Sequence, residues 1–139
     1  MENQSENKLS DPNIRKLFDG KNFVFVSSLM KDGSPQVTPT WVDIEDNNIL
    51  INTAIGRVKH KNLTRDPRVA LAVVDANNPY NMVTIRGKVI EQVTGDDAEK
   101  HIDKMARKYI GKDKYPYRTS EEKRVILKIN PLSVFQIKQ

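Results

Sequence analysis

The sequence predicts a mainly β protein whose strands form an antiparallel barrel, with one long and two short helices outside it. Six or seven apolar segments, rich in β-branched and aromatic residues, are separated by turn signals at short spacing. Strands and helices do not alternate regularly, which argues against a doubly wound parallel sheet. Hairpin spacing therefore favours strands that close into a barrel, because closure removes free sheet edges.

Length and composition indicate one domain of a soluble class. We expect residues 1–9 to be a disordered tail and residues 10–139 to be a single domain with its own core. No apolar run approaches the ~18 residues of a membrane span, no signal-peptide pattern is present, and there is no cysteine, so the cytoplasm is the expected location. The net charge of +5 raises nucleic acid as a partner, but 18 acidic residues are interspersed with 23 basic ones and favour a mixed soluble surface.

The first half of the domain is predicted to be a helix followed by a hairpin. Pro39 lies inside the second strand, where it cannot donate to a ladder, so we expect an edge, a bulge or an opening there. The predicted elements are a capped helix closed by Gly20, strands at 23–29 and 36–44 joined by a turn at 31–34, and a third strand at 49–53.

The second half is predicted to contain the long strand and the long helix. Gly87 falls on the apolar face of the long strand, which predicts a close approach of another backbone or a bulge. The long helix carries an apolar stripe of Ala98, Ile102, Met105 and Tyr109. The predicted elements are strands at 69–75 and 82–93, a helix from 94–97 to Gly111, one helical turn at 120–123, and strands at 125–129 and 134–137 separated by a break at 130–131.

Residues 52–68 predict an anion site. The chain turns at Gly56, and a short helix then carries the cations Arg57, Lys59 and Lys61. Helical N–H groups and the helix dipole add to this charge, so the helix start suits a phosphate. Arg57 and Lys61 share a face, while Lys59 converges with them if it lies in the first turn. A solvated basic helix is the other interpretation of the same residues.

The two histidines do not predict catalysis. His60 and His101 lie outside nucleophile motifs and lack carboxylates at metal-ligand spacing, so we expect no catalytic triad and no metal site. His101 is expected on the surface of the long helix, and His60 beside the anion site as a solvated neighbour. No glycine-rich phosphate loop of the dinucleotide or P-loop type occurs.

Four segments are informative through their order and spacing. They read DGSPQVTPTW (32–41), NTAIGRVKHKNLTRDPRVAL (52–71), NPYNMVTIRGKVIE (78–91) and ARKYIGKDKYPY (106–117). Together they resemble the pyridoxamine 5′-phosphate oxidase-like split β-barrel family, and more narrowly its coenzyme F420-dependent branch. The resemblance covers residues 23–135. It implies a six-stranded antiparallel split β-barrel of the FMN-binding type, working as a homodimer with two cofactor sites at the subunit interface.

The resemblance also implies which residues contact the cofactor. It makes Arg57 and Lys59 phosphate binders, and it places Thr53 and Asn62 where the family supports the phosphate and ribityl chain. Tyr80 corresponds to an aromatic residue that reaches across from the partner subunit. The surplus lysines Lys59, Lys61 and Lys88 suit the carboxylate tail of coenzyme F420. The segment that matches the lining of the ring system consists of Val37, Thr38, Pro39, Thr40 and Trp41, although core packing is the other interpretation of Trp41.

The implied function is hydride transfer between coenzyme F420 and a small conjugated substrate, with FMN as the alternative cofactor. The cofactor does this chemistry, so no dedicated general acid or base is needed and no catalytic residue is named. The chain lacks the arginine- and histidine-rich C-terminal segment of true pyridoxamine phosphate oxidases, so vitamin B6 oxidation is not expected. Two other classes stay open: a non-catalytic flavin or haem binder, and a nucleic-acid-binding barrel, for which nine aromatic residues make a sparse stacking platform.

Overall fold

The computed structural model describes residues 8–138, which form one antiparallel sheet with three helices outside it. Within these residues the elements are, in chain order, α1 (Pro12–Asp19), β1 (Val24–Leu29), β2 (Pro35–Thr40), β3 (Asp43–Glu45), β4 (Asn48–Ala54), α2 (Val58–Arg65), β5 (Arg68–Val74), β6 (Met82–Thr94), α3 (Asp96–Ile110) and β7 (Arg124–Ile137). The strands lie in the order β2-β1-β5-β6-β7-β4-β3, and every neighbouring pair is antiparallel. The predicted mainly β, antiparallel architecture is confirmed.

The predicted strand at 36–44 is two strands, and the predicted strands at 125–129 and 134–137 are one, so the described residues contain seven strands rather than the six of the implied split barrel. The ladder stops at Trp41 and Val42 because helix side chains take the backbone groups there. The Tyr109 hydroxyl accepts a hydrogen bond from the Val42 N–H at 3.1 Å, and Lys108 Nζ donates to the Val42 carbonyl. Pro39 lies in β2, an edge strand of the sheet, as one of its predicted alternatives requires.

β7 is continuous across the predicted break at 130–131, so that break is wrong. The strand tolerates Pro131 because the β6–β7 register shifts at this point: Pro131 pairs with Gly87, and the next pair skips Leu132. A Cβ atom on Gly87 would lie only 2.5 Å from the Asn130 carbonyl oxygen. Both the close backbone approach and the bulge predicted at Gly87 are therefore confirmed.

The predicted helical turn at 120–123 is also wrong, since these residues form bends without a helix. Their polar groups are used in other ways. The Glu122 N–H donates to the Thr119 hydroxyl, and the Glu122 carboxylate binds two arginine side chains described below. The segment therefore connects α3 to β7 as an ordered loop.

One apolar core lies between the inner face of the sheet and α1. Leu9, which the sequence placed in the tail, is buried in it, while residues 1–7 lie outside the described residues. α3 packs against β4, β6 and β7, where Ala98 clusters with Leu50 and Ile126, and it ends at Gly111 in the left-handed conformation (φ 68°), as predicted. None of the helices within residues 8–138 is long and apolar enough to cross a bilayer. The largest fully buried side chains include Ile14, Leu17, Phe18, Ile49, Ile51, Ile85, Leu127 and Ile129.

Candidate functional site

A cleft of about 220 Å³ opens between the ends of β2 and β4, the start of α2, and the loop between α3 and β7. Six of the predicted site residues line it: Pro39, Thr40, Trp41, Thr53, Arg57 and Lys59. The structure adds seven others: Phe23, Asn52, Ile102, Met105, Tyr115, Tyr117 and Arg124. The cleft thus joins a cationic end, at α2 and β7, to an aromatic end, at Trp41 and the 115–117 loop.

Three cations converge at one end of the cleft. Arg57 and Lys59 come from the start of α2, and Arg124 comes from the first residue of β7. Glu122 bridges the two arginines, because one of its carboxylate oxygens lies 2.7 Å from Arg57 Nη2 and the other 2.7 Å from Arg124 Nη1. With one carboxylate against three cations, this end keeps a net positive charge.

The pKa of Lys59 reflects the repulsion between the cations at this end of the cleft. Burial lowers the pKa of its ammonium group, and the charges of Arg57 and Arg124 lower it further. A bound anion would relieve this repulsion, which is the physical basis for anion binding here.

Two features of the cationic end favour a ligand rich in hydrogen-bond acceptors. The Thr53 hydroxyl is buried and has no hydrogen-bond partner among the described residues, although buried hydroxyls are normally satisfied. Arg57 is the N-cap of α2 and makes no side-chain capping bond, so the first turn of this helix has N–H groups free of a side-chain cap. An acceptor-rich group such as a phosphate satisfies both.

Stacked aromatic rings form the other end. Trp41 lies parallel to Tyr109, with 5.3 Å between ring centroids and an interplanar angle of 4°. Tyr115 meets Trp41 edge-on, and Tyr117 meets Tyr115 edge-on. Burial raises the pKa of Tyr109 to about 12, so its hydroxyl stays protonated and keeps its bond to the Asn22 carbonyl. Trp41 therefore both packs on a neighbour and faces the cleft.

The remaining predicted site residues do not line this cleft within the chain described. Val37 faces a separate groove on the outer side of the sheet, and Thr38 has a buried hydroxyl without a partner. Lys61 is exposed, so Lys59 rather than Lys61 joins Arg57. Asn62 is buried and donates to Ser28 Oγ. Tyr80 is 64% exposed on the 75–81 loop. Their roles as cofactor contacts stay predictions.

His101 is buried, which corrects the expectation of a surface histidine without a carboxylate partner. Its Nε2 lies 2.9 Å from Asp43 Oδ2, and its Nδ1 lies 3.0 Å from Asn52 Nδ2. The Asn52 amide also donates to the Ala98 carbonyl, and its Oδ1 accepts from Arg124 Nε at 2.9 Å. A continuous chain of hydrogen bonds therefore runs from β3 through α3 and β4 to the cleft.

Sequence reasoning missed Arg124 and its partners for a physical reason. Arg124 directly precedes the predicted strand at 125–129, and its partner Asn52 lies 72 residues away in the chain. An arginine beside a mostly apolar strand was the available signal. In the fold it is 4% exposed, and its guanidinium lies over the Tyr115 ring.

Asp43 is held in its charged form. Burial alone would raise the pKa of this carboxyl group, but hydrogen bonds from His101, Lys104 and the Ile44 N–H outweigh burial and lower it to about 2. A carboxyl group with a depressed pKa stabilises the fold above its unfolded pKa near 3.8, and this contribution is lost as pH falls toward 2.

We expect Asp43→Asn to lower the free energy of unfolding by about 2 kcal/mol at pH 7, because a shift of nearly two pKa units corresponds to about that energy. Urea unfolding at pH 7, 4 and 2.5 measures it, and the difference from wild type should shrink below pH 4. Glu45→Gln is the control on the same strand, since Glu45 is exposed, and it should change stability by less than about 0.5 kcal/mol. A difference between wild type and Asp43→Asn that is the same at all three pH values would contradict this expectation.

Comparison with known proteins identifies the family. Residues 10–138 match the family model described as pyridoxamine 5′-phosphate oxidase. The chain belongs to this family. Pyridoxamine 5′-phosphate oxidase family proteins bind flavins such as FMN and are often oxidoreductases, and their fold is the split barrel, so the predicted resemblance is confirmed. No sequence among the curated proteins matches this chain.

Solved structures give the same fold for this member of the pyridoxamine 5′-phosphate oxidase family. An F420 reductase superposes with a TM-score of 0.78 at 24% identity, covering 95% of this chain and 98% of the other. A conserved hypothetical protein from Mycobacterium tuberculosis gives a TM-score of 0.77 at 21% identity, covering 99% and 90%. HupZ from Group A Streptococcus gives 0.68 at 16% identity, covering 93% and 94%. Identities this low support the fold and not a shared substrate.

Proposed function

We propose that this protein is an oxidoreductase that binds a flavin-type cofactor in the cleft and passes hydride between that cofactor and a small conjugated substrate. Coenzyme F420 is the first candidate and FMN the alternative. The observation that carries the proposal is the convergence of Arg57, Lys59 and Arg124 around the unpartnered Thr53 hydroxyl, next to the face of Trp41. Both cofactors carry a ribityl phosphate and a flat tricyclic ring, which these two ends match.

At the cationic end, this chain's residues would bind the phosphate. Arg57 presents a planar donor fork, Lys59 adds a point charge, and the start of α2 contributes N–H groups. Thr53 supplies a hydroxyl at the end of β4, which suits either a phosphate oxygen or the ribityl chain. Glu122 forms ion pairs with both arginines and keeps them in place.

At the aromatic end, the chain would orient the ring and exclude water. The edge strand β2 leads through Pro39 and Thr40 to Trp41, and all three line the cleft. Tyr115 and Tyr117 lie on the loop above Trp41. When bound, the cofactor supplies the hydride-carrying ring, and the chain holds that ring against a substrate.

The size of the cleft favours a site shared between two copies. Pockets that enclose a drug-sized ligand measure ~300 Å³ or more, and this cleft measures about 220 Å³. A larger groove of about 380 Å³ lies on the outer face of the sheet, beside exposed Phe25 and Val37, but without converging cations. We propose that a second copy covers this apolar face and completes the cleft, as a homodimer.

Phe25→Asp tests the dimer, because Phe25 is 42% exposed on that face and a buried charge there is costly. We expect wild type to elute at twice 15.9 kDa and Phe25→Asp to elute at 15.9 kDa in light-scattering chromatography. Ile90→Asp is the control, since Ile90 is 56% exposed elsewhere and should leave the wild-type mass unchanged. A monomeric wild type, or a dimeric Phe25→Asp, would overturn the proposed interface.

Turnover decides between an enzyme and a binding protein. Wild type is mixed with reduced F420, or with reduced FMN under anaerobic conditions, and with quinone, enone and nitroaromatic acceptors, while cofactor absorbance is followed. We expect wild type to speed oxidation of the cofactor by at least one acceptor, and the Arg57→Ala, Lys59→Ala double variant to lose most of that rate. Tight binding without acceleration by any acceptor would instead support a non-catalytic flavin-binding protein.

The position of the ring is tested separately by NMR. The chain has one tryptophan, so a single indole N–H signal reports on the aromatic end of the cleft. We expect this signal to shift when either cofactor is added. A cofactor that binds without moving the indole signal would place the ring outside the cleft.

A further inference from the structure

We infer that His101 and Asp43 are positioning residues that hold Arg124 in the cleft through Asn52, and that protonation of His101 releases this hold. The inference rests on the proposed function for its ligand, an anionic cofactor at Arg124. It goes beyond that function by naming residues outside the cleft that set its affinity, and by making that affinity depend on pH.

The donor and the acceptor of each hydrogen bond in this series, from Asp43 to Arg124, can be assigned. The Asp43 carboxylate only accepts, so His101 Nε2 must carry the proton that it donates. His101 Nδ1 is then the acceptor for the Asn52 amide group. This orients Asn52 so that its Oδ1 faces Arg124 Nε. Each residue therefore fixes the orientation of the next, from Asp43 to the cleft.

The second contact of Asn52 fixes the same orientation. Its amide nitrogen donates to the Ala98 carbonyl at 3.0 Å as well as to His101. An amide rotated by 180° would present its oxygen to the Ala98 carbonyl and its NH₂ group to the Arg124 Nε–H. Both contacts would then fail, and Asn52, at 6% exposure, has little access to water as a replacement.

Protonation of His101 removes the acceptor that holds the Asn52 amide group in this orientation. A charged imidazole ring donates from both nitrogens, whereas a neutral ring donates from one and accepts at the other. His101 Nδ1–H would then face the Asn52 NH₂ group, so Asn52 must either rotate or lose its partner. If Asn52 rotates, Arg124 loses the bond between its Nε–H and Asn52 Oδ1. If Asn52 keeps its orientation, it loses the His101 bond that holds it, and Arg124 is bonded to a less firmly fixed partner. Arg124 still has Glu122 as a partner, so it is loosened rather than expelled.

The charges that face His101 come from three elements. Asp43 and Glu45 lie on β3, Asp97 and Lys104 lie on α3, and Lys128 lies on β7, all around a groove that His101 itself lines and that shares no lining residue with the cleft. Lys104 also bonds to Asp43, at 3.1 Å. Protons therefore reach His101 from this groove without passing through the cleft. The hydrogen bonds of His101 with Asn52, and of Asn52 with Arg124, connect this groove to the cleft.

The variants His101→Gln and His101→Leu distinguish a role of His101 in positioning Asn52 from a role in packing alone. The glutamine amide oxygen can accept from Asn52 and its NH₂ group can donate to Asp43, so His101→Gln keeps both bonds without a titrating group. His101→Leu removes both bonds. His60→Gln measures the pH effect of the chain's other histidine separately, because His60 lies on α2 beside the anion site and bonds to Gly56 and Gln92.

The test measures FMN and F420 affinity at pH 7.5 and 5.0 for wild type and the three variants. We expect the affinity of wild type to fall about tenfold more than that of His101→Gln over this range, the loss typical of one hydrogen bond to a charged group. His60→Gln should still lose affinity between pH 7.5 and 5.0 through His101, and His101→Leu should bind about tenfold more weakly at both pH values. Phosphate protonation affects every variant equally, so the comparison with His101→Gln cancels it. Equal pH profiles for wild type and His101→Gln would overturn the inference.

NMR separates failure of the inference from failure of the proposed function. In the protein without cofactor, the Arg124 Nε–H signal should titrate together with the His101 ring in wild type and stay fixed in His101→Gln. If neither cofactor binds wild type, the proposed function fails, and this titration still decides the coupling. An Arg124 signal that ignores the His101 titration would overturn the coupling, whatever the cofactor results are.

Discussion

Changing Arg57 and Lys59 together to alanine is expected to weaken F420 and FMN binding by at least tenfold and to leave the fold intact. A hydrogen bond to a charged group contributes about 1.5–3 kcal/mol when its partner is ordered. The Arg57 side chain is 53% exposed, so water screens part of that energy. We therefore expect a loss of affinity near tenfold rather than the full value for two such bonds. Fluorescence titration gives the affinity, and thermal melting checks the fold.

Lys16→Ala with Lys100→Ala is the matched control for this pair. It removes the same two charges from exposed positions on α1 and α3, away from the cleft. We expect less than a twofold change in affinity for the control, because charge that lies far from a ligand is screened by salt. Equal losses in both double variants would mean that net charge, and not the start of α2, attracts the cofactor.

Gly87→Ala is expected to lower the free energy of unfolding by about 2–3 kcal/mol, the largest stability effect of a single methyl group that we expect in this chain. The new Cβ would lie 2.5 Å from the Asn130 carbonyl oxygen and 3.1 Å from Ile129 Cγ2. Real Cβ atoms do not approach backbone so closely, so β6 and β7 must separate at the bulge, and overpacking of this kind costs about 1–3 kcal/mol. Urea unfolding at pH 7 gives the value.

Gly33→Ala distinguishes this steric effect from the general cost of replacing glycine. Gly33 has a φ of +89° and nothing within 4 Å of a Cβ, so its substitution costs about 1 kcal/mol through backbone conformation alone. Gly87→Ala should be the more damaging of the two. A smaller loss for Gly87→Ala than for Gly33→Ala would mean that the strands adjust freely and that the close approach is not a constraint.

Local pattern was sufficient to predict most of the fold. Alternating apolar residues and turn signals located the strands, and the proline within 36–44 indicated the sheet edge correctly. The errors lie where distant side chains decide the local structure. The strand ends before Trp41 because Tyr109 and Lys108, more than 60 residues away, bond to the Val42 backbone. β7 passes through Pro131 because Gly87 leaves room for it.

The candidate site was predictable only in part, for the same reason. Residues that are close in sequence, such as Arg57 and Lys59 or Pro39 to Trp41, were recognised together and line one cleft. Arg124 was missed because its partner Asn52 lies 72 residues away in the chain, and an arginine beside an apolar strand was the only local signal. His101 was misplaced because its partners are 49 and 58 residues away, and only the fold brings them together.

The central claim is that the cleft binds a flavin-type cofactor through the cations at the start of α2. A pair of fluorescence titrations of wild type, one with coenzyme F420 and one with FMN, tests it most directly. We expect saturable binding of both, tighter for F420, with the indole signal of Trp41 shifting at the same concentrations. Tighter FMN binding would assign the protein to the flavin-using branch. Absence of binding by either cofactor would contradict the claim and leave the cations without their proposed ligand.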